Sequence, residues 1–498
     1  MKHSISAILA ALLLSSALIS CGEAASAPVD TKAVGGDTPN APEETETEAA
    51  VPSGVPDDVD LGGEVVDIWY TVKAVSVAET FVDIAGELNG DMLDDAIYNA
   101  NIRVEEKLNC DLNFFSADVT TSDTGATFSK LMKANDTAYD LFHLVQWNAS
   151  KFAAEGMYLN MNDAKYLSFD QPWWDYTYMK EMTIGEDIIY SLVGDYAVDR
   201  TRCLGCVYYN KAMYADFYSD ADGLYQEVLD HKWTMERMRE ISAEIYQDIN
   251  NNGTADREDR LGYCINNYNN LDLLFTGGAA RITARDKDDL PYLVLNSDRN
   301  ISVADKVYEM AMDSVGTFCS GSVYEEDVEN RKMFENGYSM FLIGFFYTAE
   351  AMRDMKSDYG IVPVPLYDGA QEQYVSDVHD IMRIMAVPYN CTCVDSVSAI
   401  LEELSYQGYQ NVLPSYYDVL MKNKYARDSI SASMIDLIRD NCTPDIAHIY
   451  GDSFNQMGYI CRQMVQSKKP FASTYASKEK TALKNMQKFI DDYMAANE

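Results

Sequence analysis

The alternation of strand-like and helix-like segments after residue 61 is the feature that most restricts the fold of this chain. Short apolar stretches typical of strands fall at Val65–Tyr70, Leu112–Phe115 and Tyr139–Val145. Apolar residues recur at helical spacing over 92–109 and 126–134, and a further helix is expected from about Ala149 to Glu155. A β-α-β-α-β order predicts a parallel sheet that binds ligands outside the carboxyl ends of its strands.

Polar and aromatic side chains follow two of these predicted strands. Tyr70 ends the first strand, and Gln146, Trp147 and Asn148 follow the third. Loops in this position line the ligand crevice of open α/β sheets. These four residues are therefore candidate ligand contacts.

The amino-terminal stretch predicts export and anchoring. Its apolar run from Ile8 to Ile19 is 12 residues long, shorter than the roughly 20 residues that span a bilayer, so it is typical of a secretory signal. The following Leu18-Ile19-Ser20-Cys21 resembles the lipobox of bacterial lipoproteins. The resemblance implies removal of residues 1–20 and acylation of Cys21, as with palmitate. The alternative is an ordinary signal peptide with a chance cysteine.

Residues 21–62 are predicted to form a disordered acidic tether. Between residues 22 and 62, ten acidic residues face one lysine, with few large apolar side chains. Burial there cannot offset the entropy of ordering the chain. Without residues 1–20, 478 of the 498 residues remain, more than one hydrophobic core usually serves, so two lobes are expected.

Charge and cysteine content limit the function. The chain has 79 acidic and 39 basic residues, a net charge of −40, which argues against nucleic acid and other polyanions as ligands. Nine cysteines remain after Cys21, including the close pairs Cys203/Cys206 and Cys391/Cys393. The histidines are scattered singly, so buried thiols or an incidental disulfide are expected rather than a metal or redox site.

A series of weak motifs occurs in a specific order along the chain. They are Tyr139–Leu159, Pro172–Asp175, Val207–Met213, Trp233-Thr234, Phe334–Phe341 and Tyr359–Pro365. In this order and spacing the chain resembles the extracellular solute-binding proteins of bacterial ABC transporters, in the family 1 branch that binds oligosaccharides. The resemblance covers roughly residues 61–440.

The resemblance implies an α/β, two-lobed, periplasmic-binding-protein-like fold of type II with several hinge crossings. The expected lobes are residues 63–185 with about 375–410, and residues 186–374 with about 411–498. It also implies a non-enzymatic monomer that delivers a carbohydrate to ABC transporter permease subunits. A lipid anchor in place of a periplasm favours the extracellular face of a Gram-positive-type envelope.

The same resemblance adds candidate ligand contacts. They are Trp173, Trp174, Asp195, Tyr196, Phe346 and Tyr347. Trp173 and Trp174 have an alternative role in packing near the hinge, because any single aromatic side chain is more often core than contact.

One spacing motif indicates calcium without help from any family. Residues 248–259 match the EF-hand loop, with oxygen-bearing residues at alternating positions and Gly253 at the sharp turn. The expected ligands are Asp248, Asn250, Asn252, Thr254, Asp256 and Asp259. A strand, rather than an exit helix, is predicted after the loop, so Ca²⁺ is expected to act as a structural clip. The alternative is an acidic surface turn.

Three other functions stay open at the level of sequence. They are a peptide- or other solute-binding lipoprotein, a surface glycoside hydrolase and a calcium-stabilised adhesion lipoprotein. The hydrolase needs two carboxylates roughly 5–9.5 Å apart, and a chain with 79 acidic residues could supply them. No common nucleophile, zinc-helix or phosphate-loop motif is present in the sequence.

Overall fold

Two β-sheets organise the fold, which the computed structural model describes over residues 51–71, 83–321, 324–421 and 429–496. The strands of the first sheet are β1 (Glu64–Tyr70), β2 (Cys110–Ser116), β3 (Leu141–Val145) and β11 (Arg383–Ala386). Their order is β11-β3-β1-β2. β1 pairs in parallel with β2 and β3, whereas β11 is antiparallel to β3. The predicted parallel sheet is therefore confirmed for the first three strands.

The second sheet has five strands in the order β10-β4-β9-β5-β8. They are β4 (Gly205–Asn210), β5 (Leu261–Asn266), β8 (Thr317–Ser320), β9 (Ser339–Phe345) and β10 (Tyr359–Val362). β5 is parallel to β8 and β9, so these three strands end at one edge. A small antiparallel pair, β6 (Thr283–Arg285) with β7 (Pro291–Leu293), stands apart.

Helices cover the sheets and form most of the carboxyl-terminal part. They are α1 (Met92–Leu108), α2 (Thr124–Lys133), α3 (Gln146–Ala149), α4 (Tyr176–Met182), α5 (Asp199–Arg202), α6 (Lys211–Tyr218), α7 (Gly223–Leu229), α8 (Met235–Ile245), α9 (Asn269–Gly277), α10 (Asp298–Met312), α11 (Tyr324–Glu335), α12 (Tyr347–Ala351), α13 (Val394–Gln407), α14 (Leu413–Met421), α15 (Ser429–Asp440), α16 (Ile446–Ile449), α17 (Ile460–Ser467) and α18 (Phe471–Ala495). Among the residues described, no helix is long and apolar enough to cross a membrane.

Local sequence explains why α1 begins and ends where it does. The Asp91 carboxylate caps it by accepting from the N–H groups of Leu93 and Asp94. The helix ends at Asn109, whose φ of 50° is left-handed, a conformation that asparagine tolerates. Its predicted apolar face is buried, including Ile97 and Val104.

The chain passes between the sheets in two directions. It leaves the first sheet after β3 and returns between β10 and β11. The two connections lie side by side, because Gly205 N–H donates to Asp377 O at 2.8 Å and His379 N–H donates to Cys203 O at 2.8 Å. These contacts bring the return connection next to the start of the second sheet.

A buried network of charges joins the elements at this crossing. Arg383, on β11, pairs with Asp83 at 2.8 Å, and its N–H donates to Asp199 at 2.7 Å. Arg202, on α5, contacts Asp83 and pairs with Glu350 of α12 at 2.9 Å. Each of these buried charges has an opposite partner, which offsets much of the cost of desolvation.

The amino-terminal boundary differs from the predicted one. Residues 1–50, with the predicted signal sequence, Cys21 and most of the predicted tether, lie outside the described residues. Val55 is buried, however, and Leu61 N–H donates to Leu108 O at 2.8 Å. The body therefore begins before residue 63, because this stretch is hydrogen-bonded to α1, where Lys107 Nζ also donates to Val55 O at 3.3 Å.

The helix after β3 also begins earlier than predicted. α3 starts at Gln146, directly after Val145, and a 3₁₀ turn continues it over Ser150–Ala153. Trp147 and Asn148 consequently lie on a first helical turn and not in a loop.

Candidate ligand-binding cleft

A polar and aromatic cleft lies where β3 and β9 end. Gln146 follows β3, and Phe345 is the last residue of β9. The space between the lining atoms, including the part open to solvent, is ≈ 400 Å³. The other lining residues come from α4, α9, α16, α17 and the return connection between β10 and β11.

One wall centres on His379 of the return connection. Its Nε2 lies 2.8 Å from Asn269 Nδ2, and its Nδ1 lies 3.0 Å from both Ile381 N and Asp380 Oδ1. The Phe345 ring packs edge-on against the imidazole, with 4.5 Å between ring centroids. These contacts fix the orientation of an amide, an imidazole and an aromatic face in the cleft.

The opposite wall centres on Arg462 of α17. Its guanidinium lies 3.6 Å from the Tyr268 ring centroid and 4.2 Å from that of Tyr459. It contacts the Asp272 carboxylate and pairs with Asp380 at 3.2 Å. Burial favours a higher pKa for Asp380, but His379 and Arg462 outweigh it and hold that pKa well below its usual range.

His448 lies in the same lining with both ring nitrogens facing oxygen acceptors. Nδ1 is 3.1 Å from Asp377 Oδ2, and Nε2 is 2.6 Å from Gly458 O. Both nitrogens can donate only in the protonated ring. Burial opposes the charge, but the hydrogen bond to Asp377 and nearby carboxylates raise the pKa of His448 to about 9.

The predicted contacts that follow β3 lie in or next to the cleft. Gln146 lines it, and its Oε1 accepts from Tyr178 Oη at 2.9 Å. Trp147 is half-buried. Asn148 is buried, and its amide donates to Ser122 O at 3.2 Å. Of these three, Gln146 alone is a lining residue.

The predicted aromatic contacts are placed differently from one another. Tyr70 is half-buried at the end of β1, edge-on to Phe114 at 6.2 Å. Tyr347 stacks on Phe345 at 5.4 Å between centroids, with the planes 17° apart, and so lies one ring away from the lining. Phe346 is fully buried.

The remaining predicted contacts do not line the cleft. The indole N–H groups of Trp173 and Trp174 donate to the two carboxylate oxygens of Glu402, at 3.1 and 2.8 Å. Both rings are buried, which agrees with the packing alternative.

Asp195 and Tyr196 lie beside a separate, smaller cavity. Asp195 is buried in an ion pair with Arg439, at 3.1 Å. Tyr196 Oη donates to Leu192 O at 2.8 Å. The structure therefore gives these two side chains internal partners.

The main lining residues that sequence reasoning missed are Asn269, Asp272, His379, Asp380, His448, Tyr459 and Arg462. One sequence signal for some of them existed. The run Asn266-Asn267-Tyr268-Asn269 follows a predicted strand, so the rule that singled out Tyr70 and Gln146 also applies there.

The calcium-like loop is held closed by its own side chains. The Asp248 carboxylate accepts from the N–H groups of Asn252 and Gly253, at 3.2 and 2.9 Å. Asn252 Oδ1 accepts from Thr254 N–H at 2.8 Å. Gly253 has a φ of 79°, so the glycine stands where the backbone needs left-handed freedom. β5 begins at Leu261, as predicted after the loop.

The loop carries the oxygen-bearing side chains that a hard cation prefers, but its carboxylates do not converge: no three of them lie within 4.8 Å of one another. Asp259 is buried and accepts from Ile249 N–H at 2.8 Å. The amides of Asn250 and Asn252 both donate to Asp256, at 3.2 and 2.6 Å. Rotating a carboxamide exchanges its nitrogen for its oxygen, which would turn these contacts into oxygen ligands suitable for Ca²⁺.

Comparisons based on sequence return nothing for this chain: no family model matches it, and no curated protein matches it. The similarity lies in three-dimensional structure.

Several solved structures share the fold over most of the chain. A cyclo/maltodextrin-binding protein in complex with maltotetraose is 11% identical, with a TM-score of 0.56 over 86% of this chain and 97% of that one. An ABC substrate-binding protein from Listeria monocytogenes in complex with cycloalternan is 12% identical, with a TM-score of 0.54 over 85% and 99%. An ABC transporter solute-binding protein from Thermotoga lettingae with bound α-D-tagatose is 14% identical, with a TM-score of 0.53 over 86% and 100%. The chain therefore has the α/β, periplasmic-binding-protein-like fold of ABC transporter solute-binding proteins.

Proposed function

We propose that this protein is a lipid-anchored, extracellular solute-binding protein that captures a carbohydrate and delivers it to an ABC transporter permease. The observation that carries the proposal is the composition of the cleft. Aromatic side chains (Phe345, Tyr459) and polar side chains (Gln146, Asn269, Arg462) line one concave site. Ring surface beside fixed donors and acceptors is what a sugar ring and its hydroxyl groups require. The sugars bound in three proteins of similar fold support the same assignment.

Ligand class is tested by calorimetry and tryptophan fluorescence with linear and cyclic oligosaccharides and with peptides of matched size. Trp147 directly follows the lining residue Gln146, so a bound sugar is expected to change its emission. Chromatography of the recovered ligand tests for turnover. Saturable binding of a sugar that is recovered intact supports the proposal. Binding of peptides alone, or release of a cleaved glycan, contradicts it.

The site is tested by Tyr459→Leu with Tyr218→Leu as its control. Both tyrosines are half-buried, but only Tyr459 lines the cleft. Arg462 lies over the Tyr459 ring and Tyr459 Oη donates to His448 O at 3.1 Å. Loss of these contacts is expected to disturb this side of the cleft and to weaken sugar binding roughly tenfold, a change of about 1.4 kcal/mol. The control is expected to bind like the wild type. Equal affinities in the two variants would place the sugar elsewhere.

The anchor is tested by palmitate labelling of cells that express the wild type or Cys21→Ser. We expect Cys21→Ser to lose both the label and partition into detergent, whereas Cys319→Ser keeps both. Undiminished labelling of Cys21→Ser contradicts the lipobox interpretation. Delivery is tested by uptake of the identified sugar, which should fail in cells that lack this protein and return with its gene.

The loop at residues 248–259 supports a second proposal, a structural calcium clip. Asp248, Asn250, Asn252, Asp256 and Asp259 would hold the ion, with the backbone carbonyl of Thr254. The ion would join the end of α8 to the start of β5. Chelation is expected to lower the melting temperature of the wild type. Chelation should leave the melting temperature of Asp248→Asn nearly unchanged. The control Asp286→Asn, in another acidic turn, should lose thermal stability on chelation as the wild type does. A wild-type melting curve unchanged by chelator contradicts the clip.

A further inference from the structure

A second cluster of metal-ligating groups lies at the edge of the first sheet that faces away from the cleft. Asp140 precedes β3, while Cys391 and Cys393 lie in the connection from β11 to α13. The ligand atoms of these three side chains all lie within 4.8 Å of one another. No other trio of His, Cys, Asp or Glu meets this condition within the described part of the chain.

The three side chains are held in place by the backbone around them. Asp140 Oδ2 accepts from Asp67 N–H at 3.0 Å, which leaves Oδ1 directed at Cys393 Sγ, 3.4 Å away. Cys391 N–H donates to Pro388 O at 3.0 Å and fixes the turn. Cys393 is the N-cap residue of the 14-residue α13, and its side chain makes no capping hydrogen bond there.

The spacing of these atoms matches a tetrahedral metal site. With Zn–S bonds of about 2.3 Å and a Zn–O bond of about 2.1 Å, tetrahedral angles place the sulfurs about 3.8 Å apart and sulfur about 3.6 Å from oxygen. The two Sγ atoms are 3.8 Å apart, and Cys393 Sγ is 3.4 Å from Asp140 Oδ1. An ion could therefore enter with little movement of its ligands.

We propose that Asp140, Cys391 and Cys393 form a Zn²⁺-binding site, with water as a fourth ligand. Two thiolates select a soft or borderline cation over the Ca²⁺ expected at the loop of residues 248–259. Both thiols must lose a proton, so binding forms two Zn–S bonds and releases two protons. All three side chains are half-buried, which leaves the ion a path from solvent.

The site is independent of the ligand cleft. Asp140 and Gln146 flank opposite ends of β3, roughly 20 Å apart at about 3.3 Å per residue. A bound ion would fasten the β11–α13 connection to the start of β3. We therefore expect Zn²⁺ to stabilise the protein and to leave its sugar affinity unchanged.

The test uses reduced, metal-free, Ca²⁺-saturated full-length protein and Co²⁺ as a spectroscopic substitute for Zn²⁺. One equivalent of Co²⁺ is expected to give thiolate-to-metal charge-transfer absorption, which Zn²⁺ abolishes by displacement. Cys391→Ser and Cys393→Ser should lose this absorption. Asp140→Asn should weaken Co²⁺ binding roughly tenfold or more, because an amide is a poorer ligand than a carboxylate. Cys319→Ser, at another half-buried cysteine, is the matched control and should behave like the wild type.

Alkylation of the folded wild type supplies a second measurement that depends on no variant. Mass spectrometry should show that Zn²⁺ protects Cys391 and Cys393 from iodoacetamide and leaves Cys319 unchanged. The proposal is overturned if the reduced wild type gives no thiolate absorption with Co²⁺. It is also overturned if the absorption persists without both cysteines, or if Zn²⁺ protects neither thiol.

Discussion

The protonated ring of His448 makes a specific prediction about stability and pH. Its Nδ1 faces the Asp377 carboxylate and its Nε2 faces Gly458 O, at 3.1 and 2.6 Å. A neutral imidazole can donate to only one of these acceptors, so loss of the proton leaves a lone pair facing oxygen inside the protein. We expect the folded state to hold this proton more tightly than the unfolded chain does.

The magnitude follows from the two pKa values. The pKa of His448 rises from the ordinary 6.5 to about 9 on folding. At about 1.4 kcal/mol for each tenfold change in proton affinity, this corresponds to about 3 kcal/mol. Because the folded pKa is the higher one, this stability is fully present below pH 6.5. It is lost as the pH rises from 6.5 to about 9.

The assay is urea unfolding of the ligand-free protein across that pH window, with His448→Gln as the perturbation. The difference between the free energies of unfolding of the wild type and the variant should be about 3 kcal/mol larger at the acidic end of the window than at the basic end. Asp199, whose pKa burial and the nearby Asp83 raise to about 7, also titrates in the lower part of the window. The difference between the two proteins isolates His448.

Direct titration of the imidazole nitrogens by NMR gives an independent check. Two protonated nitrogens at neutral pH agree with the geometry. Parallel pH profiles for the two proteins would refute the reasoning, as would a His448 pKa below 6.5, because either result means that the buried acceptors do not select the charged ring.

Three further predictions concern the interior. Glu402→Gln should lower the free energy of unfolding by about 1–3 kcal/mol, because the new NH₂ group would face one of the two buried indole N–H groups. A urea midpoint equal to that of the wild type contradicts this. Gly408→Ala should destabilise by more than about 3 kcal/mol, because its Cβ would lie 1.6 Å from the Asp195 carbonyl oxygen; Gly369→Ala, with no neighbour within 4 Å, should stay within about 0.5 kcal/mol. Burial and the nearby Arg383 on β11 lower the pKa of His143 to about 3. Because the folded pKa is the lower one, the stability that the neutral ring gives the fold is full above pH 6.5 and is lost as the pH falls towards 3. His143→Leu should therefore shift acid unfolding to lower pH, and an unshifted acid midpoint counts against this assignment.

Local patterns predicted the elements of the first sheet well. The helix predicted over 92–109 is α1, and the strand predicted at Val65–Tyr70 is β1. Thr234 caps α8, since its hydroxyl accepts from Arg237 N–H at 3.1 Å. These features depend on residues within a few positions of each other, so hydrophobic period and capping chemistry suffice to find them.

The cleft was less predictable because its residues meet from distant parts of the chain. Arg462 contacts Asp272 across 190 positions, and Asn269 meets His379 across 110. Trp173 matched the expected aromatic motif, but Glu402, 229 positions away, binds its indole. No local pattern indicates which partner a polar or aromatic side chain will find.

By itself, the sequence determined the order of strands and helices, the parallel core of the first sheet and a strong acidic charge, since these depend on composition and on spacing along the chain. Only the tertiary structure decided which polar groups face one another. The pair Cys391/Cys393 shows the difference. Its spacing predicted buried thiols, and it became a candidate metal site because folding brings Asp140, 253 positions before Cys393, to within 3.4 Å. Which side chains can bind one metal ion depends on the distances between them, and for residues far apart in sequence those distances are set by tertiary packing.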